Sequence, residues 1–253
     1  MHPKDHFSAV SSDYAAFRPR YPPELFEWLA QVVPAHEMAW DCACGSGQAS
    51  VDLAERFARV VATDLSADQL RAATPHPRVA YRVAEAQASG LPPASVDAVT
   101  VAQALHWFRL DEFYAEVQRV LRPGGVLAVW SYGISHLTSG PADALLQNFY
   151  RGVVGPYWPA ERKLVEEGYR TLPFPAPALD VPALTMEHEW SLDTLLGYVR
   201  SWSATARYVR AVGDDPVPGL RKELLRVWGD PARRHGIRWP LSVRAARCGS
   251  TSG

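Results

Sequence analysis

Residues 40–50 read WDCACGSGQAS, and the rest of the chain is organised around them. An apolar approach ends in Asp41. Small residues then stand at alternate positions, Ala43, Gly45 and Gly47, and an amphipathic helix opens at Gln48. That spelling predicts a strand, a tight small-residue turn, and a helix whose N-terminus faces a ligand. Small residues let backbone approach a ligand closely. The helix end contributes N–H groups without intrahelical partners. The next predicted strand, RVVATD over 59–64, ends in Asp64. A carboxylate at that point can accept hydrogen bonds from both ribose hydroxyls of a nucleoside cofactor.

Working outward, Glu24–Val33 reads as a helix with Leu25, Leu29 and Val32 at helical spacing, and Met38–Asp41 as the first strand. Gln48–Ala58 reads as the first crossover helix. Ser66 and Gln69 form a capping box for a short helix that Pro75 and Pro77 end. Val79–Val83 and Val96–Ala102 are strands three and four. The near-continuous apolar run of the fourth suits a parallel strand covered on both faces. Asp111–Leu121 is predicted as a helix capped by Asp111 and stopped by Arg122-Pro123-Gly124-Gly125, with strand five over Val126–Tyr132. Alternating strands and helices predict an α/β chain with a doubly wound parallel sheet.

From Gly133 the pattern changes to a helical, aromatic- and proline-rich insertion. Helices are expected at Pro141–Gly152, Leu192–Ser203 and Gly219–Trp228, with a strand at Leu184–Trp190. Ile237–Ala246 is the expected last strand, and Pro240 inside it predicts an edge or a bulge. The expected organisation is an N-terminal cap segment over 1–35 and a nucleotide-binding core over 36–132. A substrate-covering insertion follows over 133–235, then the last core strand over 236–247 and a polar tail over 248–253.

The chain has 253 residues, 47% of them apolar and 21% charged, as in an ordinary globular protein. A formal net charge of −1 leaves no electrostatic footprint for nucleic acid or an anionic membrane. No apolar run approaches the roughly 18 residues of a membrane span, and MHPKDHF at the N-terminus lacks a signal-peptide core. Cys42, Cys44 and Cys248 are an odd number without a second Cys or His pair at ligand spacing. They predict a reduced, cytoplasmic setting and no metal.

A G-x-G-x-x-G fingerprint starting at Gly45 would need glycine at position 50, which is Ser50. Instead, an acid stands four residues before Gly45. The pattern D-x-(small)-x-G-x-G resembles the first motif of class I S-adenosylmethionine (SAM)-dependent methyltransferases, with Ala43 where the usual first glycine stands. Further stretches extend the likeness to a methyltransferase type 11 core: Tyr14 with FRPRYP (17–22), VATDLSADQL (61–70), AQALHWF (102–108) and RVLRPGGVLAVW (119–130). Fainter echoes are GYRTLPFP (168–175), SWSATARY (201–208) and RWPL (238–241). Within the superfamily the chain resembles trans-aconitate methyltransferase-like small-molecule enzymes.

The resemblance implies a Rossmann-like sheet with an antiparallel last strand. It implies SAM as cofactor, S-adenosylhomocysteine as its product, and methyl transfer to a small molecule on oxygen, nitrogen or carbon, a natural product or a carboxylic acid among them. The backbone at Asp41, Ala43, Cys44, Gly45 and Gly47 is then expected to cradle the amino-acid end of SAM. Asp64 would hold the ribose, with Leu65 against the adenine and Glu85 and Ala86 at its edge. Ala102 and Gln103 would lie under the sulfonium, and Tyr14, Arg18 and Tyr21 would cover the cofactor. His106, just beyond strand four, reads either as a general base or as a half-buried histidine beside Trp107. Trp107 and Tyr132 have the best positional claim on substrate, with Tyr150 and Trp158 from the insertion as further candidates. The expected assembly is a monomer or homodimer without nucleic-acid or membrane partners. Three other readings are a non-catalytic SAM-binding protein, a nicotinamide oxidoreductase, which Ser50 disfavours, and a nucleic-acid methyltransferase. AQALHW stands where the last would carry an N/D-P-P-aromatic motif.

Overall fold

The computed structural model describes residues 17–248. Tyr14, expected over the cofactor, lies outside the described residues.

Five parallel strands form most of one sheet: β1 (Met38–Cys42), β2 (Arg59–Asp64), β3 (Val79–Val83), β4 (Val96–Ala102) and β5 (Leu121–Tyr132). Two-residue β6 (His136–Leu137), β7 (Leu184–Trp190) and long β8 (His235–Arg247) complete it. The order is β3-β2-β1-β4-β5-β8-β6, with β7 on the other edge of β8. β8 runs antiparallel to all three of its neighbours. The expected mostly parallel sheet with an antiparallel last strand is what forms.

Apolar runs become strands here because both faces are covered. Alternate residues feed opposite cores. Trp40, Val99, Val101, Leu127 and Val129 enter one, with Phe113 and Val117 of the helix Leu110–Val120. Ala39, Ala98, Ala128 and Trp130 enter the other, with Leu25 and Leu29 of the helix Pro23–Val32. The order reverses between β1 and β4, so the connections leaving them part and open a cleft at their carboxyl ends.

Several local expectations shift. Asp111 is not the cap of its helix. Arg109 holds that position, and Asp111 sits in the first turn, where its charge suits the helix dipole. Half of the capping box forms, with Ser66 Oγ accepting from the Gln69 N–H at 3.3 Å. The other half does not, because the Ser66 N–H donates to Asp64 Oδ1 at 2.8 Å. The helix opening at Gln48 ends at Ala54, and the expected Leu192–Ser203 helix is two, Leu192–Arg200 and Ser203–Val212. The expected Pro141–Gly152 helix is Gly140–Asn148 followed by a π-helical turn, Phe149–Val153. Pro240 marks a locally open edge, not a bulge. β8 is internal, and residues 239–240 lie between its pairing with β6 and its pairing with β5, where that edge has no partner strand.

Candidate functional site

The turn after β1 carries three consecutive alternate residues in the left-handed region: Ala43 (φ 56°), Gly45 (φ 56°) and Gly47 (φ 78°). Glycine adopts this freely, while an alanine there costs roughly 1–2 kcal/mol. Gly47 occupies the N-cap position of the helix Gln48–Ala54. Tyr81 of β3 presses on it. A Cβ at Gly47 would lie 2.8 Å from Tyr81 Cε1 and 2.9 Å from Cζ, and closer still to the hydroxyl. The Tyr81 hydroxyl donates to the Thr74 carbonyl at 2.8 Å, which pins the ring. Nothing in the sequence flags Tyr81, because it reaches the loop through the pairing of β3 with β2.

Asp64 ends β2 in contact with this loop. Its Oδ2 accepts from the Gly45 N–H at 2.9 Å and its Oδ1 from the Ser66 N–H at 2.8 Å. A carboxylate offers about four lone-pair positions, so two acceptor sites remain on a group whose orientation is already fixed. Leu65 beside it is 53% exposed. The loop after β3 begins with the Ala84 N–H bonded to the Asp64 carbonyl at 3.2 Å, which brings Glu85 and Ala86 to the same end of the sheet.

Asp41 lies deeper. It is fully buried, and its two oxygens accept from Ser50 Oγ at 2.6 Å and Thr100 Oγ1 at 2.9 Å. The carboxyl ties β1 to the following helix and to β4, which makes Asp41 a support for the loop. Ser50, the residue that breaks the dinucleotide fingerprint, is the donor that Asp41 uses. Burial pushes the Asp41 carboxyl up to about 6, opposed by the two hydroxyl bonds and aided by the Asp64 charge. The folded state therefore holds this proton better than the unfolded chain, whose carboxyl titrates near 3.8. Linkage then makes stability fall as pH rises from about 4 to about 6, by on the order of 3 kcal/mol. Denaturant melts of wild type and Asp41→Asn should diverge across that window, with the variant gaining relative to wild type towards neutral pH. Parallel curves would contradict the assignment.

The described part of the N-terminal segment straps across the cleft. The Gln48 side-chain amide donates to the Pro19 carbonyl at the start of the glycine-loop helix. Arg18 Nη1 donates to the Tyr132 hydroxyl at 3.1 Å, and Nη2 to the Ser201 carbonyl at 3.4 Å. Phe17 packs on Gly197, where a Cβ would lie 2.6 Å from Cδ1 of the ring. Tyr21 and Tyr132 are buried in the aromatic core with Trp130, and Tyr132 meets the site through its hydroxyl on Arg18 and its carbonyl on the Gln103 amide.

Beyond β4 and β5 lies a cavity of about 130 Å3. Gln103, His106 and Trp107 line it from the β4 side and Gly133–Ser135 from the β5 side. Arg18, Tyr150, Trp158, Arg162, Tyr198, Arg200 and Trp202 close it. Gln103 sits at φ 59°, with its N–H on the Trp130 carbonyl at 2.9 Å and its amide nitrogen on the Tyr132 carbonyl at 3.1 Å. Such backbone strain clusters where a site holds its ligand. The insertion supplies an aromatic box. Tyr150, Trp158 and Trp202 stand 4.9–5.7 Å from one another, and the Arg162 guanidinium lies 4.7 Å from the Trp158 ring centre. Arg162 Nε donates to the Tyr150 hydroxyl at 2.7 Å and faces Glu166 at 3.6 Å. Its terminal amino groups make no hydrogen bond among the described residues.

Of the residues singled out in the sequence, Arg18, Gln103, His106, Trp107, Tyr150 and Trp158 meet in this chamber. Asp64, Leu65, Glu85 and Ala86 gather at the ends of β2 and β3. Ala102 is half-buried where β4 ends, between the two groups. Arg162, Arg200 and Tyr198 escaped notice, because short helices from distant sequence deliver them. Cys42 and Cys44 are held as thiols, their ionisation pushed up by burial and by the nearby Asp41 and Asp64 charges. Among the described residues no helix is long and apolar enough to cross a membrane.

Residues 40–129 match the family described as Methyltransferase domain. A Dictyostelium discoideum protein provisionally named a methyltransferase is 33% identical over 231 residues, 88% of this chain and 86% of its own. A solved structure provisionally described as a type II methyltransferase from Anaeromyxobacter dehalogenans is 50% identical, with a TM-score of 0.86 over 91% of this chain and 98% of that one. Haemonchus contortus phosphoethanolamine N-methyltransferase 2, solved with phosphomonomethylethanolamine and S-adenosylhomocysteine, shares 17% identity. Its TM-score is 0.51 over 99% of this chain and 61% of that one, a likeness of fold alone. The chain belongs to the methyltransferase family and has the class I, Rossmann-like fold.

Proposed function

We propose that this methyltransferase uses SAM and transfers its methyl group to a carboxylate oxygen of a small organic acid. The single observation that carries the choice of acceptor is the chamber wall. It presents Arg18, Arg162, Arg200 and His106 among aromatic rings and no carboxylate side chain. Glu166 and Asp215, which face Arg162 and Arg200, lie outside that lining. A guanidinium with unused terminal donors matches a carboxylate in two parallel hydrogen bonds.

The cofactor site fits the residues present. Asp64 keeps two acceptor sites for a ribose diol, and exposed Leu65 offers an apolar face to a base, with Glu85 and Ala86 at its edge. Backbone at Ala43–Gly47 would receive the amino-acid end, and Arg18, on the strap above the cleft, would offer its carboxylate a guanidinium. SAM, when bound, supplies a methyl group already activated on a sulfonium. What remains for the protein is alignment, and fixing two reactants in line removes much of the entropic barrier. The Arg162 guanidinium holds the acid from the insertion side, while Ala102 and Gln103 form the floor between the two halves. The strap at 17–22 and the aromatic box exclude water. An ionised carboxylate needs no deprotonation, so the site works without a general base.

The test is incubation with SAM and a panel of mono-, di- and tricarboxylic acids, amines and phenols, read by mass spectrometry. Methyl esters of acids are expected, with a KM that rises at least tenfold in Arg162→Gln. Methylation of amines or phenols with the acids untouched would contradict the proposal.

A further inference from the structure

His106 is a half-buried imidazole on the chamber wall, and its partner comes from 63 residues away. His106 Nδ1 lies 2.8 Å from the Tyr169 hydroxyl, with the two rings tilted 30° and 5.8 Å apart. Tyr169 is 1% exposed, so its hydroxyl proton must find an acceptor inside the protein. Among the described residues that acceptor is His106 Nδ1. With no other hydrogen bond to the phenol among the described residues, its O–H donates and Nδ1 accepts, so Nδ1 carries no proton.

The segment carrying Tyr169 is built to hold it. Gly168 and Tyr169 are both left-handed, at φ 62° and φ 60°. Gly168 lies against Ser242 of β8, where a Cβ would come within 2.6 Å of the serine Cβ. The Arg244 guanidinium donates to the carbonyls of Tyr169 and Leu172. One strained residue, Tyr169, a glycine in close approach and a guanidinium clamp thus serve one phenol, which meets one ring nitrogen. This is the GYRTLPFP stretch of the sequence.

We propose that Tyr169 locks His106 in the neutral tautomer protonated at Nε2, so that His106 offers an N–H donor to an anionic acceptor and does not act as a base. The inference rests on reading the chamber as the acceptor site. A nitrogen that already bears a proton cannot remove one. Nε2 makes no hydrogen bond among the described residues and so remains for a ligand. The charged groups on the chamber wall are Arg18, Arg162 and Arg200. All are cationic, and the Trp107 ring lies 4.7 Å from the imidazole, tilted 46° to it. Burial and the Arg162 charge hold the imidazole down to about 4, so it stays neutral at physiological pH. Tyr169 is here a positioning residue, acting through His106.

The test is long-range 1H–15N correlation NMR on protein labelled in histidine, with the His106 signals assigned by their loss in His106→Gln. In cofactor-free wild type the spectrum should show the tautomer protonated at Nε2, with no titration of the ring between pH 5 and pH 8. Tyr169→Phe should let the other tautomer appear. Titrating acetate into wild type should move the His106 Nε2–H signal. A tautomer protonated at Nδ1, ring protonation near the ordinary histidine value of about 6.5, or a signal that ignores acetate would each overturn the proposal. If Tyr169→Phe fails to fold, the wild-type spectrum alone decides. No methyl transfer is needed for the measurement, so it stands or falls separately from the cofactor reading.

Discussion

Asp64→Ala is expected to raise the dissociation constant for S-adenosylhomocysteine about 100-fold or more. Hydrogen bonds to a charged acceptor contribute roughly 1.5–3 kcal/mol each, and a tenfold change in affinity is about 1.4 kcal/mol. Loss of both ribose contacts therefore predicts two decades or beyond. The carboxylate also holds the Gly45 and Ser66 N–H groups, so part of the loss comes from a loosened glycine loop. Thermal denaturation without ligand separates the two contributions. A drop of a few degrees with a hundredfold loss of affinity is the expected pattern. Titration calorimetry that returned the wild-type dissociation constant would remove Asp64 from the cofactor site.

Gly47→Ala should be strongly damaging. The new Cβ meets the Tyr81 ring at under 3 Å, and the backbone must hold φ 78° with a side chain present. Overpacking typically costs 1–3 kcal/mol, and the left-handed conformation adds roughly 1–2 more. The protein should lose about 2–5 kcal/mol of stability and most of its cofactor affinity, because the loop cannot keep its shape. The double variant Gly47→Ala/Tyr81→Ala relieves the collision and leaves the backbone strain, so it should recover part of the stability of the single variant. No recovery would show that Tyr81 does not shape the loop.

The contrast between these two residues shows what could be read from the chain. Asp64 was legible because a β-strand and its following turn are written locally, in RVVATD and the residues after it. The glycine loop was legible for the same reason, since small residues at alternate positions require a particular backbone. Tyr81 was not, because its place against Gly47 depends on a strand register that no local pattern specifies. Arg162 is delivered by a five-residue helix within a segment of irregular spelling, and its meeting with Trp158 and Tyr150 is a product of tertiary packing. His106 could be located at the end of β4 but not interpreted, since its role depends on a phenol from a distant loop. Tyr21 and Tyr132 read well as site aromatics by position. The same chemistry suits a core, and both went there. The motif at 168–175 carried the one hint of Tyr169, a glycine followed by an aromatic residue in a segment with no regular period.

A nucleoside sulfonium, or the thioether it leaves behind, is proposed to lie along the ends of β1 and β2, with its ribose on Asp64. Isothermal titration of S-adenosylhomocysteine into the full-length protein tests that most directly. Saturable one-to-one binding in the micromolar range, which Asp64→Ala abolishes, is the predicted result. Absence of heat with both S-adenosylhomocysteine and SAM, from protein that melts cooperatively, would contradict it.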